Sequence, residues 1–285
     1  MSKEKIGIID VGGGMRDIYG AGVFDYLLDN NVEIEYCLGV SAGSANVASY
    51  VAKQKGRNKV YYDEYSFEKD YMSFHNFIHK GSYIDLEYIY GTLSNEDGKY
   101  PWDFDRAMEN PAEMVVSATD AKEGKTVYFT KKDFEKNDYG MLKASSCIPI
   151  VCKPYNWRGK YYFDGGIANP IPIDRAFEDG CTKVIIILTR PLDYRKKSKK
   201  RKIYKTLNKT FPKMVERLEK RCDLYNSQLD NILQKYVPDG KAFVLAPSDV
   251  CGVSTLRFTK EHLDLLYNKG YEDGKKVKEF LEKNN

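Results

Sequence analysis

Apolar residues in this chain come in short dense runs, and two alternating patterns organise its first fifty positions. Lys5 to Val11 carries Ile6, Ile8, Ile9 and Val11 and ends in three glycines, which predicts a short buried strand feeding a loop. Over Ile18 to Asn30, the apolar positions Ala21, Val23, Phe24, Leu27 and Leu28 share one helical face. Ile34 to Val40 again predicts a strand. Ala42 to Lys53 predicts a helix with Ala45, Val47, Ala48, Val51 and Ala52 available for burial. Strand, glycine loop, helix, strand, serine turn, helix is the alternation of an α/β layered domain with mostly parallel strands.

The pattern weakens in the middle. Asn58 to Asp105 is aromatic and polar with poor periodicity, and it predicts helices and loops covering one edge of the sheet. Glu113 to Thr119 and Thr126 to Phe129 predict two strands joined by the turn Ala121-Lys122-Glu123-Gly124. Lys160 to Phe163 predicts a short strand ending in Asp164-Gly165-Gly166. Lys183 to Thr189, KVIIILT, is the clearest buried strand. A basic run follows from Arg195 to Lys205. Tyr204 to Tyr236 then predicts one long amphipathic helix, Ala242 to Ala246 a strand, and Lys260 to Lys283 a terminal helix. The composition shift near Arg190 divides the chain into residues 1–190 and a mainly helical region, residues 191–285, that can still pack on the same core.

Composition narrows the function classes. The 285 residues suffice to bury a substantial core. A net charge of +4 is too small to call for a nucleic-acid partner. The six cysteines form no C-x-x-C pair, and several lie in apolar runs that suit reduced, buried thiols. The start, MSKEKIGIID, lacks the apolar stretch of a signal peptide, and no run reaches the ~20 apolar residues of a spanning helix. A cytoplasmic chain is expected, with any lipid contact peripheral. Nothing in the pattern asks for a metal or a cofactor, and oligomeric state is not encoded legibly.

Three short motifs carry candidate chemistry. In CLGVSAGSAN, Ser41 stands in a Gly39-x-Ser41-x-Gly43 frame between a strand and a helix. That is the setting of a nucleophile elbow, in which small flanking residues let strand and helix approach and the helix N-terminus faces a developing oxyanion. A buried turn serine fits the same residues. In DVGGGMRDIYGAG, Gly12, Gly13 and Gly14 follow a strand and precede a helix, so their N–H groups can face an anion, either phosphate or acyl oxyanion. Both the dinucleotide fingerprint and the P-loop pattern fail there. Arg16 favours an anion over a plain tight turn. In YYFDGGIANPIPIDRA, Asp164 ends a strand before Gly165 and Gly166, either as a presented carboxylate or as an Asx-turn residue.

Taken in order, Gly12-Gly13-Gly14-Met15-Arg16, Gly39-Val40-Ser41-Ala42-Gly43 and Asp164-Gly165-Gly166 resemble the patatin-like phospholipases. Ala144-Ser145-Ser146-Cys147-Ile148-Pro149 is similar to that family's Ala-Ser-x-x-x-Pro block, and Asn169-Pro170 matches as well. The resemblance covers roughly residues 6 to 190. It departs at Asp17, where the family has glycine. It implies a patatin-type three-layer α/β/α sandwich with a mostly parallel sheet and a helical C-terminal extension. It also implies a serine acyl-ester hydrolase acting on lipids, of phospholipase A or lysophospholipase type. Ser41 would be the nucleophile and Asp164 the base of a Ser–Asp dyad, and the loop Gly12, Gly13, Gly14, Met15, Arg16 the oxyanion hole. A free aspartate is a poor base for an alcohol, so burial beside Tyr161-Tyr162-Phe163 would have to raise its basicity.

Two alternatives stand beside this reading. IGIIDVGGG looks like the first phosphate loop of actin-like ATPases and sugar kinases, in which case Asp10 and Asp164 would serve Mg-nucleotide. A catalytically weak protein that binds lipid or a partner is the other, motivated by the Arg195 to Lys205 run and its attraction to anionic membrane.

Overall fold

The three most apolar runs of the chain lie side by side, because only a sheet covered on both faces can bury such segments. The structure, a computed structural model, describes residues 4–197 and 204–282. Its strands are β1 (Ile6–Asp10), β2 (Tyr36–Val40), β3 (Glu113–Asp120), β4 (Thr126–Thr130), β5 (Tyr155–Trp157), β6 (Lys160–Asp164), β7 (Lys183–Ile187) and β8 (Ala242–Leu245). They form one sheet in the order β5-β6-β3-β2-β1-β7-β8, with β4 also paired to β3. The run from β3 through β2, β1 and β7 to β8 is parallel. The remaining pairs, β3 with β4, β3 with β6 and β5 with β6, are antiparallel.

The long strand β3 sets the geometry of everything that follows. Its residues 115–117 pair with β2 and β4 at once, so these two lie on opposite edges. Ala118 and Thr119 pair with β4 and β6 at once. Strand β6 therefore takes over the edge that β2 leaves. Ser117 pairs with Val40 and the next residue, Ala118, pairs with Asp164. The ends of β2 and β6 are thus brought to adjacent positions of one strand.

Helices cover both faces, which makes the three layers. Ile8, Cys37, Ile185 and Ile187 pack into one core with the helices Ile18–Asp29, Ala42–Val51 and Lys260–Glu282. Ile9, Leu38, Val40, Val184 and Ile186 pack into the other with Ile173–Glu178 and Pro212–Asn231. Neighbouring strand residues serve opposite cores, as the two-residue strand period requires. The helices Ile18–Asp29 and Lys260–Glu282 meet backbone to backbone. A Cβ on Gly270 would lie 2.0 Å from the Tyr19 carbonyl oxygen, and one on Gly22 lies 2.2 Å from that of Tyr267. All six cysteines are free. No helix among the described residues is long and apolar enough to cross a membrane.

Several elements depart from the sequence pattern. The segment from Arg57 to Glu109 forms short helices, among them Arg57–Asp63, Phe74–Lys80 and Phe104–Glu109. Arg57–Asp63 packs on the helical layer against Ile18–Asp29 and Ala42–Val51, and Phe104–Glu109 packs against Ala42–Val51. The single helix read from Tyr204 to Tyr236 is two helices, Tyr204–Thr210 and Pro212–Asn231, followed by a wide turn over Ile232–Tyr236. Pro212 divides them, since it has no N–H for the preceding turn and its ring clashes with the carbonyl four residues back. The short strand β5 and the helix Gly140–Ser145 gave no periodic signal. Strand β8 pairs with β7, so the region after residue 190 adds to the same sheet.

Candidate active site

Ser41 follows β2 directly and precedes the helix Ala42–Val51. Its backbone lies at φ 58°, ψ −131°, a conformation that side-chain-bearing residues rarely adopt. The sharp turn needs small neighbours. A Cβ on Gly39 would sit 2.3 Å from the Ser44 Cα, and one on Gly43 would sit 2.5 Å from the Asp10 carbonyl oxygen. The Ser41 N–H donates to Ser145 Oγ at 2.9 Å, while the Ser41 carbonyl accepts from the Ser44 hydroxyl at 2.6 Å. Ser41 is buried apart from its approach to two cavities.

Asp164 ends β6 and is buried. Its Oδ1 accepts from the Gly166 N–H at 2.8 Å, and its own N–H donates to the Cys147 carbonyl at 2.8 Å. The segment Ser145 to Cys147 therefore holds both chain ends, Ser41 through Ser145 Oγ and Asp164 through Cys147. Of the aromatic flank, Tyr162 and Phe163 are buried, whereas Tyr161 is exposed.

The glycine loop leaves β1 and presses on the serine turn. A Cβ on Gly12 would come within 2.2 Å of the Val40 carbonyl oxygen and 3.0 Å of Ser41 Cβ. Within the loop Gly12 to Arg16, two amides are already committed. Gly12 N–H donates to Asp10 Oδ1 at 3.1 Å and Met15 N–H to the Thr255 carbonyl at 3.2 Å. The Gly13 and Gly14 N–H groups make no hydrogen bond among the described residues. Arg16 is buried, with Nη1 donating 3.0 Å to Thr255 Oγ1 and Nε left without an acceptor.

Ser41 stands between two cavities of opposite character. One, of about 70 Å³, is mostly apolar and lined by Met15, Ala45, Tyr62, Leu86 and Ile89, with Tyr90 and Ser146 on its wall. The poorly periodic middle segment supplies much of it. The other, of about 430 Å³, holds Asp164, the three glycines, Arg16 and Arg221.

Residues 11–177 match the family model described as patatin-like phospholipase, more than half of the chain. The chain belongs to this family. Residues 211–284 match a second model, a domain of unknown function designated DUF6363. Among relatives, the uncharacterized protein YjjU of Escherichia coli (strain K12) is 26% identical over 200 residues, 66% of this chain and 52% of that protein. The probable lipid hydrolase 463L of Invertebrate iridescent virus 6 is 24% identical over 192 residues, 59% and 61% of the two chains. The chain thus spans between about half and three fifths of these relatives. VipD of Legionella pneumophila superposes at TM-score 0.49 with 12% identity, over 96% of this chain and 66% of that one.

Against the patatin-like pattern, the departure at Asp17 has a clear outcome. Its side chain neither meets the cavity nor reaches solvent, but is fully buried against Asp10. A point built from Gly20 lies 2.5 Å from Asp10 Oδ2 and 2.9 Å from Asp17 Oδ1, so the two carboxyls crowd one spot. Asn46 Nδ2 donates to Asp10 Oδ2 and to the Asp17 carbonyl, both at 3.0 Å. Burial and then the Asp10 charge push the Asp17 carboxyl well above the usual range. Burial raises Asp10 too, although hydrogen bonds from Asp17, Asn46 and Gly12 pull it back. Two buried carboxyls crowded at one spot resist ionising together, which favours the protonated form of Asp17.

The same burial removes the nucleotide alternative, because Asp10 faces the protein interior and lines neither cavity. The three histidines lie elsewhere. His75 and His79 lie against each other on the helix Phe74–Lys80, ring centres 4.3 Å apart and tilted by 40°, and the His262 N–H donates to Thr259 Oγ1 at 3.3 Å. None lines the cavities beside Ser41. Ser145 is the residue that motif reading named without a role. Only the fold shows that its hydroxyl meets an amide 104 positions away.

Proposed function

We propose that this chain hydrolyses lipid acyl esters, of phospholipase A or lysophospholipase type, through Ser41 and Asp164. The observation that carries the reading is the pairing along β3, which sets the strained Ser41 turn and the buried Asp164 at adjacent positions beside one cavity. Ser41 Oγ attacks the acyl carbonyl while Asp164 takes its proton. The Gly13 and Gly14 amides receive the oxyanion, which a water-poor site makes worth far more than in solution. Collapse passes the proton to the leaving alcohol and leaves an acyl-serine. Asp164 then takes a proton from water, whose attack releases the fatty acid and returns the proton to Ser41. The histidine-free surroundings of Ser41 support a dyad. The apolar cavity suits an acyl chain.

Peripheral contact with anionic membrane belongs to the same proposal. Residues 198–203 of the basic run lie outside the described residues. Of the others, Arg195 is paired with Asp230 at 2.6 Å. The helix Phe74–Lys80 adds support, because Phe74, Phe77 and Ile78 are exposed on one face.

The test is a panel of lipid and short-chain esters, run with the wild type and with Ser41→Ala, beside fluorophosphonate labelling. Hydrolysis and labelling should both vanish in the variant. Retained turnover in pure Ser41→Ala protein ends the proposal.

A further inference from the structure

The larger cavity beside Ser41 is crowded with positive charge. Arg16, Arg190, Lys196, Lys197 and Arg221 line it, and Asp164 is the one acidic residue among its described lining. Arg16, Arg190, Lys196 and Arg221 form no salt bridge among the described residues. Their neighbour Arg195, by contrast, is neutralised by Asp230. The guanidiniums flank the reaction centre on two sides. An Arg16 Nη2 lies 3.5 Å from a Cβ built on Gly13, and an Arg221 Nη2 lies 3.6 Å from one built on Gly166. Both arginines keep a buried Nε–H with no acceptor.

The crowding has a visible cost. Burial and then Arg190 hold the Arg16 guanidinium down to about 10. Burial and then Arg221 push the Lys196 ammonium well down. Unpaired buried cations are unfavourable, and an anion placed among them relieves both the repulsion and the orphaned donors.

We propose that this cavity is a headgroup subsite for a phosphate-bearing lipid ester of net negative charge, with its acyl chain in the apolar cavity on the other side of Ser41. The inference rests on the acyl-hydrolase reading above and adds the substrate's polar half. Arg190, Lys196 and Arg221 all lie outside residues 11–177, and Arg221 lies within the domain of unknown function. The segment after the patatin-like part therefore supplies the selectivity. Zwitterionic choline heads are disfavoured by the same walls. A quaternary ammonium needs open aromatic faces. Here Tyr225 is already covered by Lys196 at 3.8 Å, and Tyr194 by Arg190 at 4.7 Å.

Short-chain phosphatidic acid, phosphatidylcholine and diacylglycerol with the same acyl groups test it on the full chain. Wild type should show kcat/KM for phosphatidic acid at least tenfold above the other two. Arg221→Gln and Lys196→Gln should each reduce that ratio about tenfold, and Arg221→Lys should keep most of it. Inorganic phosphate, titrated calorimetrically into Ser41→Ala protein, should bind and lose binding on adding Arg221→Gln. Ser41-dependent hydrolysis with equal rates on the three lipids overturns the subsite and leaves the hydrolase standing. So does a ratio unmoved in both glutamine variants. Phosphate binding without any headgroup preference gives the cavity to a free anion and overturns the lipid assignment. Absence of Ser41-dependent hydrolysis on every ester strikes the underlying reading instead.

Discussion

Ser145→Ala removes the one acceptor of the Ser41 amide and little else. The hydroxyl is fully buried, so no water replaces it. A buried N–H left without a partner costs about 1–3 kcal/mol. The Ser41 backbone itself, at φ 58°, stores roughly another 1–3 kcal/mol that persists only while its surroundings hold it. Removing the acceptor lets the turn relax, which returns part of that strain, so a net loss of about 1 kcal/mol is expected by urea unfolding. Activity should suffer more than stability. A shift of about 1 Å in a reacting atom can cost ~10²-fold, and relaxation of the turn moves Ser41 Oγ. Fluorophosphonate labelling rates, measured below the denaturation midpoint, should fall by roughly that factor. The control is Ser146→Ala, whose Oγ contacts the Tyr90 hydroxyl at 3.0 Å and does not touch the turn. If Ser145→Ala unfolds within 0.5 kcal/mol of wild type, a loss smaller than a typical ~1 kcal/mol hydrogen bond, and labels at the wild-type rate, the turn is held by other contacts and the reasoning fails.

Gly13→Val would place its Cβ 2.2 Å from Thr189 Oγ1, so the loop must move and turnover should drop by orders of magnitude; near-wild-type turnover in folded protein would put the oxyanion donors elsewhere. Replacing His75, His79 and His262 together by Gln should leave ester hydrolysis near wild type while Asp164→Asn abolishes it, and the reverse pattern refutes the dyad. Asp17→Asn keeps a donor for Asp10 but removes the titrating group. The folded Asp17 carboxyl keeps a proton that the unfolded chain releases above about pH 4, so wild-type stability falls as pH rises from there through the raised pKa; the variant's advantage in urea unfolding should therefore be larger at pH 8 than at pH 5, and a pH-independent difference refutes the buried proton. Substituting Gln for Lys197, Lys199, Lys200 and Arg201 should weaken binding to anionic vesicles in a sedimentation assay, and unchanged sedimentation rejects the membrane role.

Local signals in the sequence were read well where one physical rule decided the outcome. The apolar runs at Ile6–Asp10, Tyr36–Val40 and Lys183–Ile187 are strands because nothing else buries them on both sides. The serine turn was legible because glycines at 39 and 43 serve no purpose except close approach. What stayed hidden is non-local. Nothing near Ser145 in the chain indicates the Ser41 amide, and nothing near Lys196 indicates that it lies over the Tyr225 ring. Read as a charged run, Arg195 to Lys197 looks uniform. In the fold, Arg195 is paired, Lys196 is half-buried over Tyr225 and Lys197 is exposed. The middle segment was opaque for another reason. Its tyrosines line a cavity and their hydroxyls bond to serines, Tyr61 to Ser94 and Tyr90 to Ser146, so burial there does not follow a helical stripe.

The two halves of the chain meet at the serine with different chemistry, and the sheet explains why. Strand β2 delivers Ser41 at the edge where β3 changes partner, so one side of the turn faces the helical layer and the other faces the open end of β6. The helical-layer side is closed by aromatic and aliphatic residues of the middle segment and becomes apolar. On the β6 side the patatin-like part contributes Ile148 to Val151, and the chain after β7 adds the cations Arg190, Lys196 and Arg221. An ester that bridges an apolar tail and a charged head is the ligand such a boundary can hold with its carbonyl at Ser41, because reversing it would bury the charge among Leu86 and Ile89 and strand the tail among unpaired cations. On the proposed reading, the division of labour between the two segments would fix the orientation of substrate before any contact at the reacting carbon is made.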